Sequence, residues 1–429
     1  MKRWITISII MLLLPSFTIF ALGARETTTK KPVDLMKGIA PTMTAQPMAT
    51  TSTATLAAFD RFALELIQKS LPKDKNIMIS PLSVYLALGM TLNGARGQTA
   101  DEMLYALGDP KLALAELNSA SRYWLDSIKS EQKDTTLSIA NSVWFDQRYT
   151  PSKDFLQTNA NYYSAAVRKL DFADAGAPSI INRWVDDATR GTIDKIVGTL
   201  DPDSLMVLIN TVYFLSDWAV KFDPQDTYDR TFHSPAEDIT TAFMSQLGSM
   251  SYLKGQDAEG IALSYMDERY VFFALMPDDS SSVLEWLSSR EPNTFLSDIR
   301  KLVANPITTR VDLSIPKFEA RYEDSLVNEL GSMGMQDAFI SSKADFSAMS
   351  AEGTKDLFIG DVIHKTFIRV DEKGTEAAAV TAVLMAATAM AFEGVILVFD
   401  QPFFYGILDI KTGLPLFLGV FLVPGTKLI

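Results

Sequence analysis

The sequence predicts an α+β fold, on two observations. Up to about residue 200, apolar residues recur at helical steps of three and four; from residue 205 onward the chain reads as one strand after another. Several of those strands are apolar on both faces, which marks central strands of a covered sheet. Helices first and strands later, without an internal repeat, fit one shared core. A chain of 429 residues leaves room for one large or two medium domains.

The elements follow in chain order. Leu56, Phe59, Ala63, Leu66 and Ile67 form one apolar helix face, which Ser52 or Thr53 can cap. A second helix follows Ser80-Pro81 and ends at Asn93-Gly94, and "TADEMLYAL" makes a third. Residues 111–133 are helical and amphipathic. "TTLSIANSVWFD" (135–146) reads as a buried strand, and "IINRWVDDAT" as a helix stopped by Gly191. The later strands are "LMVLINTVYFL", "GIALSYM", "YVFFALMP", "RVDLSIPKFEAR", "KTFIRVDE", "GVILVFDQPFFYGILDI" and "PLFLGVFLVP". Helical "YEDSLVNELGSMG" interrupts them.

Composition narrows the function. A net charge of −13 repels phosphate backbones, so no nucleic-acid partner is expected. The chain has no Cys and only two His, His233 and His364, so a zinc site of His and Cys has at most two ligands; no metal and no cofactor are expected. There is no nucleophile elbow, no phosphate loop and no dinucleotide fingerprint, and the chain is not expected to be an enzyme. Lys2-Arg3, the apolar run Ile5–Leu22 and Ala21-Leu22-Gly23 read as a cleaved signal peptide over 1–23, the alternative being an uncleaved anchor. A secreted, extracellular or periplasmic location follows. Residues 24–54, rich in Thr, Pro and Met, read as a flexible tether before a domain at 55–429. The absence of Cys and of any Asn-x-Ser/Thr acceptor fits a prokaryotic origin.

The least usual stretch is "DEKGTEAAAVTAVLMAATAMAFE" (371–393). From Ala377 to Phe392 it has no charge, proline or glycine, so it reads poorly as a solvated loop. Its β-branched residues suit a strand, and such a segment can enter the middle of a sheet. An inserted strand must donate every N–H, which excludes proline, and must bury both faces, which excludes charge. Thr375, Ala377, Ala379, Thr381, Val383 and Met385 share one face, small or flexible enough for a packed interior. Gly374 provides the backbone freedom of a hinge.

At "IRVDEKGTEAAAVTAV" the chain resembles the hinge of a serpin reactive-centre loop. "NIMISPLSVYLALGMTLNGARGQTADEM", "INRWVDDATRGTIDKIV", "LINTVYFLSDWAVKFD", "DLSIPKFE" and the C-terminal "FDQPFFYGILDIKTGLPLFLGVFLVP" resemble other serpin segments in matching order, from about 55 to 425. The resemblance implies the serpin fold: three β-sheets, about nine helices, and an exposed loop at about 372–398. It implies a monomeric suicide inhibitor that traps a target serine or cysteine protease as a covalent acyl-enzyme. The alternative is a non-inhibitory member acting as a binding or chaperone-like protein. The hinge would comprise Glu372, Gly374, Thr375, Glu376, Ala377, Ala378 and Ala379. Ser80, Ser83, Asn210 and His364 map onto the shutter beneath the opening strands, and Trp218, Lys317 and Glu372 onto the breach at their top. Counting from the hinge places the reactive bond at Thr388-Ala389, with Ala387, Met390 and Phe392 as alternatives. None is basic, which favours an elastase-like or subtilisin-like target over a trypsin-like one. Two positions depart from the family: Gln401 where a basic residue is usual, and "LVP" for the usual Asn-Pro. Lys111, Arg122, Lys129 and Lys133 are too few for a polyanion site.

Overall fold

The computed structural model describes residues 31–42, 51–71, 74–130, 134–278, 281–375 and 393–425. The signal-peptide reading and most of the loop fall outside them. The described helices are α1 (Thr53–Lys69), α2 (Pro81–Leu92), α3 (Gly97–Ala106), α4 (Leu114–Ser130), α5 (Lys153–Tyr162), α6 (Ala177–Ala188), α7 (Val283–Ser288), α8 (Phe295–Ala304) and α9 (Val327–Ser332). The strands are β1 (Val33–Asp34), β2 (Ile77–Ile79), β3 (Thr135–Asp146), β4 (Ala166–Leu170), β5 (Met206–Asp217), β6 (Thr227–His233), β7 (Asp238–Lys254) and β8 (Ala258–Ser264). They continue with β9 (Tyr270–Pro277), β10 (Ile307–Pro316), β11 (Phe318–Ser325), β12 (Asp361–Val370), β13 (Gly374–Thr375), β14 (Val395–Val398), β15 (Phe403–Asp409) and β16 (Leu414–Phe421).

Local chemistry accounts for the first helices. The Ser52 hydroxyl accepts the Thr55 N–H and caps α1, whose Phe59, Phe62, Ala63, Leu66 and Ile67 are buried. Pro81 opens α2 at a position where its missing N–H costs nothing, and every residue of α2 is buried. A helix apolar all round belongs at the centre of a large core.

The strands form two hydrogen-bonded sheets. One runs β1-β4-β3-β5-β12-β11, with β13 added to β5; β3–β4 and β5–β12 are parallel pairs. The other runs β14-β10-β7-β8-β9-β15-β16-β2, with β6 on β7. This second sheet divides along β7, which pairs β6 over Asp238–Met244 and β8 only over Ser251–Lys254. Where the resemblance implies three β-sheets, hydrogen bonding joins the strands into two, because the long strand β7 belongs to both parts of the second. The main core lies against the first sheet through Met206, Leu208 and Val212 of β5. On the opposite face Val207 and Ile209 pack with Trp144, Ile181 and Val185 beneath α6. That double cover is why β5 is apolar at consecutive positions.

The structure corrects several expectations. Residues 322–334 are not one helix: β11 continues to Ser325, because Tyr322 and Ser325 pair with Thr366 and Ile363 of β12, and only α9 remains helical. Cross-strand pairing overrides the local helical pattern there. "RVDLSIPKFEAR" and "GVILVFDQPFFYGILDI" each divide into two strands, β10/β11 and β14/β15, the first pair lying in different sheets. β3 is only half-buried over Ser138–Asn141. Part of the tether is docked: Val33 and Asp34 pair with Lys169 and Arg168 of β4, Leu35 N–H donates to Val167 O at 3.0 Å, and Leu35, Met36 and Ile39 pack on the core. β6 and β7 stand where the sequence predicts no strand, since their Ser- and Thr-rich faces are partly solvated and hide the apolar alternation. β4 and helices α5, α7 and α8 are likewise additional, although the Ser282–Glu285 capping box that opens α7 is legible in "SVLEW".

Candidate functional site

β5 and β12 pair in parallel from Val207↔Asp361 to Tyr213↔Phe367, and there the pairing stops. Beyond it, β12 bonds only β11, up to Val370↔Phe318. β5 instead takes β13 antiparallel, through Ser216↔Thr375 and Asp217↔Gly374. The other edge of Ser216 is occupied by Thr135 of β3, so β13 lies on the side facing β12. Gly374 and Thr375, which lead into the long uncharged segment, therefore already sit in the fork between two central strands.

The turn that delivers it is pinned from β5. Trp218 is buried and stacks on Tyr265 at 4.6 Å between ring centroids. Its indole N–H donates to Asp371 O and its backbone N–H to Lys373 O, each at 2.8 Å, while Phe222 N–H donates to Glu372 O at 2.8 Å. Gly374 has φ +152°, and a Cβ there would stand 2.3 Å from Ser216 O and 2.5 Å from Asp217 Cα. Close backbone approach, more than hinge freedom, is what demands glycine at this position.

Glu372 is buried and accepts Lys317 Nζ on both oxygens, at 2.9 and 2.7 Å, with Thr227 Oγ1 donating to Oε1 at 2.9 Å. Burial pushes its carboxyl up, but the bonds from Lys317, the backbone and Thr227 outweigh burial and hold it below the usual range. The ion pair ties the turn to the Pro316–Phe318 junction of β10 and β11.

Lower on the same seam is a buried polar row. Asn141, Asn210 and His364 are direct register partners across β3, β5 and β12. His364 Nε2 accepts the Ser80 N–H at 3.0 Å, so Nδ1 carries the proton and donates to Asn210 Oδ1 at 2.5 Å. Asn210 Nδ2 donates to both Ser83 Oγ and Asn141 Oδ1. Both His364 nitrogens are thus engaged, and burial lowers its pKa to about 3, so the ring is neutral. A strand entering between β5 and β12 would separate Asn210 from His364.

A family model for serpins, the serine protease inhibitors, matches residues 57–424. The chain belongs to the serpin family. An uncharacterized serpin-like protein of Thermococcus kodakarensis is 33% identical over 372 residues, covering 86% of this chain and 85% of its own. The leukocyte elastase inhibitor of Homo sapiens is 30% identical over 380 residues, covering 86% of this chain and 99% of its own. The crystal structure of the thermophilic serpin tengpin in its native state superposes with a TM-score of 0.84 at 34% identity, covering 92% of this chain and all of tengpin. The serpin family includes protease inhibitors, and serpins generally inhibit proteases rather than catalyse reactions.

In this serpin the structure brings Ser80, Ser83, Asn210 and His364 together, and Trp218, Lys317 and Glu372 around the Asp371–Gly374 turn. Glu376, Ala377, Ala378 and Ala379 of the hinge lie outside the described residues, as do Ala387, Thr388, Ala389, Met390 and Phe392. Two participants are additional. Asn141 is a polar residue on a strand face, a visible but unspecific signal; Thr227 opens a strand that the sequence does not predict.

The neutral His364 has a consequence for stability. Its folded pKa of about 3 lies below the ordinary 6.5, so only the unfolded chain takes up the proton as pH falls through 6.5. Stability is full above pH 6.5 and declines toward pH 3, by about 2 kcal/mol at pH 5 at 1.36 kcal/mol per unit. The Glu372 contribution, present above its ordinary 4.5, is lost only at lower pH. His233, raised by its hydrogen bond to Asp238, acts in the opposite direction but is exposed and screened. Urea midpoints at pH 7.5 and pH 5 measure the difference. A His364→Gln variant is expected to lose most of that slope; an equal slope in the variant would show that His364 is not its source.

Proposed function

We propose that this serpin is a suicide inhibitor of elastase-like or subtilisin-like proteases. The protease's own nucleophile attacks the carbonyl of the scissile loop residue and forms an acyl-enzyme. The severed loop then zips into the seam between β5 and β12, carrying the acylated protease with it. The observation that carries this reading is β13, already seated at the mouth of that seam and followed by a segment fit for burial. Strand addition supplies main-chain bonds along the whole segment. About 14 residues at ~3.3 Å each would move the protease by about 45 Å, against the opposite end of the domain. Distortion of its oxyanion hole there suppresses deacylation, since one lost donor costs about 10²–10³ in rate.

The reading extends to three further points. The reactive bond is Thr388-Ala389, the chain acts as a monomer, and it is exported through the Ile5–Leu22 run; sequence supports the first and third.

Incubation with subtilisin or pancreatic elastase is expected to give an SDS-stable adduct and a released fragment whose mass begins at Ala389. Cleaving the loop with a protease that escapes trapping should also raise the melting temperature. Six inward-facing side chains at roughly 1–1.5 kcal/mol each amount to about 8 kcal/mol. At 2–4 °C per kcal/mol, the rise is roughly 20 °C. An unchanged melting curve after a verified cut would instead place the protein among binding serpins that do not trap.

A further inference from the structure

We propose a binding site for a small apolar amine in a cavity of about 420 Å³ beside the first turn of α7. None of its described lining residues belongs to β5, β12 or β13, so a ligand can bind there whether or not the chain traps proteases.

The walls come from segments far apart in sequence: the ends of β6, β9 and β16 and the starts of α7 and β15. Hydrogen bonds hold them together. His233 N–H donates to Asp400 O at 2.7 Å, Asp278 N–H to Asp257 O at 3.0 Å, and Leu422 N–H to Asn76 Oδ1 at 2.6 Å. The buried part of the lining is apolar, made of Pro277, Val283 and Leu422. Both departures from the family pattern meet here: Gln401, and Leu422 of the "LVP" stretch. A cavity of this size, apolar at depth and polar at its mouth, has the build of a small-molecule site.

The mouth decides the charge of the ligand. Asp278 is exposed and Gln401 half-buried, and neither side chain is hydrogen-bonded among the described residues. Ser282 is engaged in the capping box of α7. His233 holds Asp238 through Nδ1 at 2.8 Å, so any positive charge it takes up is already matched. Arg230, on the same strand, is likewise paired, with Asp400 at 3.3 Å. Among the described lining residues this leaves the Asp278 carboxylate without a counter-ion, and Gln401 stands where a basic residue would have supplied one. A protonated amine on an apolar body meets both demands. Its ammonium donates to Asp278 and to the Gln401 amide oxygen, while the body displaces water from Pro277, Val283 and Leu422.

The test titrates the full chain by calorimetry at neutral pH with tryptamine and, as its anionic counterpart, indole-3-propionate. Tryptamine is expected to bind one site with a Kd of roughly 0.1–1 mM, about tenfold or more tighter than the carboxylate. Gln401→Lys puts a cation into the lining and is expected to weaken tryptamine about tenfold. Asp278→Asn is expected to weaken it about fivefold, the difference shrinking at about 0.5 M salt. Both substitutions fall outside the buried lining and should leave the melting temperature unchanged. A loss of affinity in either variant with an unchanged melting curve upholds the site. Equal affinity for the two probes, a preference for the carboxylate, or no binding up to about 10 mM would overturn it. Wild-type affinity for tryptamine in both variants would overturn it as well.

Discussion

Thr375→Arg is expected, on the proposed inhibitory function, to turn the serpin from an inhibitor into a substrate. Thr375 pairs with Ser216 in the fork between β5 and β12, on the parity that the sequence assigns to the buried face of the loop. Full insertion would enclose the arginine in a covered sheet with no partner waiting for it. An unpaired buried charge costs several kcal/mol even after relaxation, enough to stall the strand at its first step. Hydrolysis of the acyl-enzyme then outruns trapping. The loop should be cut as fast as in the wild type, while the yield of SDS-stable adduct falls at least tenfold, each 1.4 kcal/mol on the competing step being a factor of ten. Densitometry of adduct against cleaved chain measures this directly. Adduct at wild-type yield would mean that insertion does not begin at this residue.

Asn210→Ala is expected to cost about 2–4 kcal/mol of stability. Asn210 is fully buried and bonds His364, Ser83 and Asn141. Alanine leaves the buried His364 Nδ1–H without its acceptor, at about 1–3 kcal/mol, while Asn141 Oδ1 keeps the bond from Ser83 Oγ. The small cavity adds to that. At 2–4 °C per kcal/mol, a fall in melting temperature of roughly 4–16 °C follows. The loss acts where β5 meets β12, so it should also weaken the closed sheet against insertion. A melting temperature within 2 °C of the wild type would show that the row is not a stabilising network.

Much of this was legible in the chain. Helices over α1, α2, α3 and α4 follow from apolar spacing and caps, because those interactions lie within a few residues. The uncharged run after Glu376 is, by composition, fit for a central strand, since charge and proline are incompatible with one. Its resemblance to a serpin hinge was equally visible, and the match over 57–424 bears the family out.

Tertiary structure decided what depends on partners distant in sequence. Tyr322–Ser325 became strand only because β12 lies alongside, and Val33–Asp34 became strand only because β4 offered an open edge. The Asn141–Asn210–His364 row depends on the register of three strands, which no local pattern encodes. Gly374 is required because the backbone of Ser216 and Asp217 passes within van der Waals contact of it, and that proximity exists only in the folded chain. Local sequence sets what each segment can tolerate, whereas long-range packing sets which of those tolerances is used.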